Sequence, residues 1–264
     1  MKRQMNYNLL IGTTITIVMF LFMLTGIVGT PHDPNAMNAD LRFASPSFSH
    51  PFGNDNFGRD LLSRVMTGSL TTLYVALSTV LVGTFFGTII GALTGYYGGI
   101  FDEIMMRIND TVFAFPSILL ALVFVSILGS GRNNVILALG IAFIPSFARL
   151  VRAEFLKHKK MDYVTASFAS GIKDSRIVFV HILPNTYPVL LPAMMIGFNN
   201  AVLAEAGMSF LGIGVMPPDP SLGRMLSESQ TYLFRAPAMA IAPGIILVLI
   251  ILGFSLMSDG LNRR

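Results

Sequence analysis

The stretch LTTLYVALSTVLVGTFFGTIIGALTGYY, Leu70 to Tyr97, decides the fold: it runs 28 residues without a charged side chain. A bilayer core of about 30 Å takes roughly 20 apolar residues as helix, because in hydrocarbon the segment has to satisfy its own backbone polar groups. Gly83, Gly87, Gly91 and Gly95 recur at every fourth position within it. They fall on nearly one helical face, where a second helix can pack backbone to backbone. A seam in a moving bundle and a static contact both fit that spacing, and the static contact is the simpler reading.

Five further stretches span or nearly span a bilayer: Leu9 to Gly29, Thr111 to Gly131, Asn133 to Phe147, Pro188 to Val215 and Ala236 to Ser258. The fourth span, Asn133 to Phe147, is short before Arg149, so its helix is expected to run on past the hydrocarbon. Lys2 and Arg3 ahead of the first span also suit a signal peptide. Its apolar run exceeds the usual 7–15 residues and no A-x-A site follows, so it reads as an anchor. Basic residues set the orientation. An inside N-terminus puts twelve Lys and Arg in the cytoplasm, from Lys2 and Arg3 to Arg263 and Arg264, against six outside: Arg42, Arg59, Arg64, Arg132, Arg224 and Arg235. Both termini are then cytoplasmic. Residues 1–69 divide off as an anchor with an extracellular segment, and residues 70–264 as a five-helix core. Prolines 116, 145, 188, 192 and 243 lie in or near spans, so several helices should bend or break.

Composition agrees. Of 264 residues, 53% are hydrophobic and 12% charged, with mean hydropathy +0.67; a soluble domain carries about 25% charged residues. The net charge of +4 is not gathered on one face, which argues against nucleic-acid binding. Without cysteine, disulfides, thiol catalysis and Cys-ligated metal centres are excluded. His32, His50, His158 and His181 form no H-x-x-H or H-E-x-x-H pair, so a zinc peptidase is unsupported. The sixteen methionines lie mostly in apolar spans and read as core filler.

The connection between the fourth and fifth spans, about residues 152–184, carries Tyr163, Val164, Thr165, Ala166, Ser167, Phe168 and Gly171. It reads as two short helices around a glycine, with Asp162 capping the first, Gly171 stopping it left-handed, and Asp174 or Ser175 capping the second. Tyr163, Val164, Ala166 and Phe168 would form one small apolar surface outside the membrane. A helix lying on lipid headgroups has the same pattern.

Ala166 to Gly171, continued through Ile177 to Asn185, resembles the EAA-loop signature of bacterial ABC-importer permeases. The chain is more specifically similar to the dipeptide, oligopeptide and nickel branch, in its second subunit. His50 to Val65, Phe113-Ala114-Phe115-Pro116, and Met208 to Gly214 with Pro217-Pro218 and Gly223-Arg224-Met225 carry the resemblance further. It departs at Thr165, where the family has glutamate, at Ser167 among the alanines, and at Leu222, often tryptophan in the family. Thr165 cannot hold a charge-assisted pair.

The resemblance implies an all-α polytopic membrane protein of the type I importer class, in a bacterial inner membrane, doing no bond chemistry itself. It implies a second permease subunit, two ATPase subunits carrying ATP and magnesium, an extracellular substrate-binding lipoprotein, and residues 163–168 and 171 as the coupling helix gripped by an ATPase. The chain has no G-x-x-x-x-G-K-[ST] loop, so it is expected to hold no cofactor of its own. Gly53, Asp55, Gly58, Arg59 and Asp60 form the family motif of the extracellular segment; the glycines are expected to make tight turns, and Arg59 and Asp60 ion pairs with neighbours. That segment and residues 216–236, with Asp219 and Glu228, would face the binding protein.

Glu205 near the fifth span is costly if it faces lipid, so it should face protein or water, in a structural or gating role. Asn199 and Asn200 suit interhelical hydrogen bonds or pathway lining. An ATP-independent secondary transporter is an alternative, although no inverted repeat is apparent. An intramembrane hydrolase is weaker, because Gly207 to Gly212 does not fit G-x-S-x-G.

Overall fold

The structure is a computed structural model describing residues 7–262. Lys2, Arg3, Arg263 and Arg264, which carry the orientation of both termini, lie outside the described residues. Helix dominates: α1 (Tyr7–Val28), α2 (Leu61–Tyr97), α3 (Gly99–Phe113), α4 (Ser117–Leu128), α5 (Arg132–His158), α6 (Asp162–Ala169), α7 (Asp174–Arg176), α8 (Leu183–Phe210), α9 (Leu222–Ser229) and α10 (Ala238–Asn262). A π-helical turn, Ile177–Ile182, joins α7 to α8 so that residues 174–210 run as one span.

Among the described residues, five helices are long and apolar enough to cross a membrane: α1, α2, α5, α7 with α8, and α10. The sixth expected span is broken, since α3 and α4 meet at 89° around Ala114 to Pro116. Proline removes a backbone donor and pushes the residue before it out of the helical region. Of the five prolines expected to disturb helices, Pro116 alone falls at a break; Pro145, Pro188, Pro192 and Pro243 sit inside continuous helices.

The division at 69/70 falls inside α2, which starts nine residues earlier than the apolar run. Residues 61–69 lack the hydrophobicity of a span, and they are helical because Asp60 caps them and tertiary partners neutralise Arg64. The two parts also pack together: α1 lies along α10, where Gly12 leaves no room for a Cβ against Leu256 and Met257.

The glycine seam joins α2 to α5. A Cβ on Gly83 would stand 3.0 Å from Phe143 Cβ, on Gly87 2.6 Å from Phe147 Cβ, and on Gly95 2.7 Å from Phe155 Cβ, while on Gly91 it would run into the Ala148 carbonyl. Lipid is as apolar as leucine, so close packing of this kind holds spanning helices together. At the end of the seam away from Asp60, α3 is pinned to α5. Arg152 holds Asp102 through two bonds of 2.6 and 2.5 Å, Arg149 holds Asp110 at 2.6 Å, and buried Asn109 donates to the Pro145 carbonyl.

Candidate functional site

Chemistry is distributed over three places along α2: a projecting loop beyond Tyr97, a concave face at mid-height, and a charged cluster around Asp60. The loop forms because α5 overruns the bundle to His158 and the chain then turns through Lys159 to Met161. Lys159 Nζ donates to the Tyr96 carbonyl at 2.5 Å, and Tyr96 Oη donates to Asp174 Oδ1 at 2.9 Å, so both flanks of the loop are fastened to the last turn of α2.

Two expected caps are not there. Met161, without an acceptor side chain, occupies the N-cap of α6, and Asp162 lies one position too late to reach back; its charge still faces the positive helix end. Lys173 precedes α7, and the Asp174 carboxylate is taken by Tyr96. Gly171 behaves as read, with φ of +73°. Its N–H bonds to the Phe168 carbonyl and the Ile172 N–H to that of Ser167, the Schellman ending.

The single apolar surface expected of Tyr163, Val164, Ala166 and Phe168 is divided. Val164 is 2% exposed and packs with Ile177, Val178, Ile182 and Phe155 in the core. Tyr163 is half-buried, with its hydroxyl 2.9 Å from His158 Nδ1. Burial pushes its phenol above the usual tyrosine range, against a pull the other way from Asn185, and it stays neutral. The first turn of α6 is therefore a foot set in the bundle. Its last turn stands clear, with Thr165, Ala166, Phe168 and Gly171 exposed, Phe168 to 55%; Ser167 is intermediate and donates back to the Tyr163 carbonyl.

At mid-height a cavity of about 760 Å³ opens between the α3–α4 bend, α5 and α8. Phe113, Phe115, Phe143, Phe147 and Ile196 give it an apolar wall, and Ser117, Ser146 and Asn200 bring polar groups; no charged side chain lines it. Asn200 lines this cavity. Asn199 is half-buried with an unpartnered Oδ1. Glu205 lies away from the cavity, fully buried, with Ser209 Oγ donating to its Oε1 at 2.6 Å and Oε2 unpartnered. Ser209 in turn accepts from the Val215 N–H at 3.0 Å, so this pair ties the end of α8 to the turn that follows. The serines and phenylalanines of the wall escaped the sequence reading because they come from separate helices; Phe115-Pro116 was the one local sign.

The motif of residues 53–60 folds on itself. Gly53 and Gly58 both have φ of +76°, and a Cβ on Gly58 would run into the Asn38 carbonyl. Asp55 Oδ1 accepts from the N–H groups of Phe57 and Arg59 at 2.8 and 2.9 Å, while Oδ2 takes Arg59 Nε at 2.6 Å. Arg59 reaches Glu228 on α9 at 3.2 Å, and Arg64 stands 3.6 Å from both Asp55 and Glu228. All but Glu228 are buried. Asp60 caps α2 by accepting from the Ser63 N–H and Oγ at 2.8 and 2.6 Å, and its other oxygen faces His50. Burial pushes the Asp60 carboxyl up, but the bonds from Ser63 and His50, with His32 nearby, outweigh it and hold it below the usual aspartate range.

Five spanning helices and a broken sixth, with a short helix projecting between α5 and α8, define the class: a polytopic membrane permease. Residues 87–264 match the family described as binding-protein-dependent transport system inner membrane component, and the chain belongs to that family. It is 37% identical to the dipeptide transport system permease protein DppC of Haemophilus influenzae, covering 98% of this chain and 90% of that protein. It is 41% identical to the glutathione transport system permease protein GsiD of Pectobacterium atrosepticum, covering 88% and 77%. The same fold occurs in the inward-facing MetNI methionine ABC transporter, with TM-score 0.60 and 23% identity over 77% of this chain and 94% of that one. An amino acid ABC transporter gives 0.57 and 20% over 76% and 94%. The chain is a multi-span permease subunit of a binding-protein-dependent ABC importer, a family that works with ATPase and substrate-binding partners.

Proposed function

We propose that this chain is one half of a channel that carries di- or oligopeptides inward, and that the free end of α6 takes force from an ATPase subunit. The partners are a second permease subunit closing the concave face, two ATPases holding ATP and magnesium, and an extracellular lipoprotein delivering cargo. Termini and α6 face the cytoplasm, and the chain itself makes and breaks no bonds. Thr165, Ala166, Phe168 and Gly171 meet the ATPase, while Tyr163, Val164 and Ser167 hold the helix that presents them. With Thr165 in place of a carboxylate, coupling runs through shape and apolar contact.

The observation that carries this reading is the half-set, half-free α6: an eight-residue helix whose base is buried and whose tip exposes Phe168. An unanchored lipid-surface helix would lie flat, with its apolar residues on one side. The cavity argues for peptide over a bare divalent cation, because it offers aromatic wall and amide or hydroxyl partners and no carboxylate or imidazole. Ala166→Glu is expected to leave the assembled subunit in the membrane while separating uptake from ATP hydrolysis. Reconstituted vesicles given labelled dipeptide and radioactive nickel read both questions; full-rate uptake by the variant removes the docking assignment, and nickel uptake without dipeptide uptake removes the cargo.

A further inference from the structure

Three side chains able to hold a metal converge at the outer end of α2, away from both the cavity and the loop. His32, His50 and Asp60 each place one ligand atom within 4.8 Å of the others. His50 Nδ1 is 2.8 Å from Asp60 Oδ1 and His32 Nδ1 is 3.9 Å from the same oxygen. The two imidazoles stack with centroids 4.3 Å apart. Ser63 fixes the group from behind, its Oγ and N–H donating to Asp60 Oδ2 while the same Oγ accepts the His32 N–H at 3.1 Å. His32 Nδ1 is buried without a hydrogen-bond partner, although the side chain as a whole is 40% exposed. A ring nitrogen aimed inward with nothing to bond, over a carboxylate already ordered, is an incomplete arrangement for protein groups alone.

We propose that His32 Nδ1, His50 Nδ1 and Asp60 Oδ1 bind a divalent transition-metal ion of the zinc class on the outer face. Four-coordinate zinc with nitrogen and oxygen ligands sets neighbouring ligand atoms about 3.3 Å apart. The two spacings to Asp60 Oδ1 bracket that value and all three ligand atoms lie within 4.8 Å of one another, so closing the site takes shifts of roughly half to one and a half ångströms and a turn of the stacked rings toward a common point. Two imidazoles and one carboxylate suit zinc, nickel or copper, whereas calcium and magnesium take oxygen ligands. On binding, His50 gives up the proton it holds at Nδ1 toward Asp60 Oδ1 and carries its one ring proton on Nε2 instead, so the imidazole stays neutral while Nδ1 and Asp60 Oδ1 turn to the metal. The ion staples the chain after α1 and the turn at His50 to the N-cap of α2. Neither cargo nor ATPase docking enters this assignment.

The test uses the intact permease complex without a polyhistidine tag, dialysed against micromolar zinc chloride and analysed for bound metal. His32→Ala removes one ligand and leaves the His50–Asp60 bond; His32→Phe keeps a stacked ring and removes only the ligand atom. Wild type is expected to retain one zinc per chain and to melt higher with zinc than without. Both variants should bind at least about tenfold more weakly and lose the zinc-dependent rise, with their metal-free melting close to wild type. Equal zinc content in wild type and His32→Phe, or none above buffer in wild type, overturns the proposal.

Discussion

The two ends of α2, about 55 Å apart along a 37-residue helix, are built on opposite principles. The Asp60 end buries charge: Asp55, Arg59 and Arg64 have withdrawn from solvent into one ionic cluster, and Asp60 beside them is bonded to Ser63 and His50. The Tyr97 end keeps charge at the edges and exposes an apolar tip, with Phe168 half uncovered on a helix whose base alone is packed. A buried ionic cluster resists movement, because separating its members strands a charge in low dielectric. An exposed aromatic on a short helix adds little to stability and is available to another surface. The difference teaches that a motif rich in charged residues serves rigidity here, and that a plain stretch of small residues leaves an uncovered apolar surface.

The sharpest way to break the comparison is at Asp55. Asp55→Ala leaves buried Arg59 and Arg64 to share Glu228 alone, with one positive charge uncompensated, and is expected to cost about 3 kcal/mol, read as unfolding of the detergent-solubilised protein. A cost below the level of an ordinary surface substitution would show that this cluster is solvated. Next comes the seam linking the ends: Gly91→Val pushes a side chain into the Ala148 carbonyl and should cost about 1–3 kcal/mol, seen as a lower melting temperature.

Asp60→Ala removes the cap of α2 and should cost about 1–2 kcal/mol. The same residue gives this end of α2 an acid sensitivity. Its carboxyl sits below the usual aspartate range in the folded protein, so the unfolded chain takes up the proton first as pH falls. Its contribution is whole above that range and is lost as pH drops through the folded value. Melting followed downward from neutral pH should fall less steeply in Asp60→Asn. The smallest stability effect belongs to the Tyr97 end. Phe168→Glu is expected to change stability by less than about 0.5 kcal/mol while abolishing ATP-driven uptake, and a large loss of stability would mean that Phe168 is part of the foot.

Much of this was legible in the residues. Uncharged runs of spanning length marked the spans, and the four-residue glycine spacing marked a seam, because helix periodicity and the length of a hydrocarbon crossing are local properties. Gly171 announced the end of α6 for the same reason. The partner of the seam was not legible, since any helix could have filled it, and neither was the caplessness of α6, which depends on where Met161 falls relative to the bundle. Glu205 is buried in protein, as its cost in lipid demands, yet that the serine it bonds would also hold the Val215 N–H required the turn after Phe210 to fold back.

By itself the sequence determined that this chain crosses a membrane about six times, that it has no phosphate loop, and where its flexible punctuation lies. Those features follow from side-chain transfer energies and helix pitch, which act over neighbouring residues. Only the tertiary structure decided that Val164 turns inward while Phe168 turns out, that α3 and α4 meet at a right angle to make a concave wall, and that His32, His50 and Asp60 meet over Ser63. Each depends on contacts between residues distant in the chain, where packing and desolvation, and not local preference, choose which face is buried.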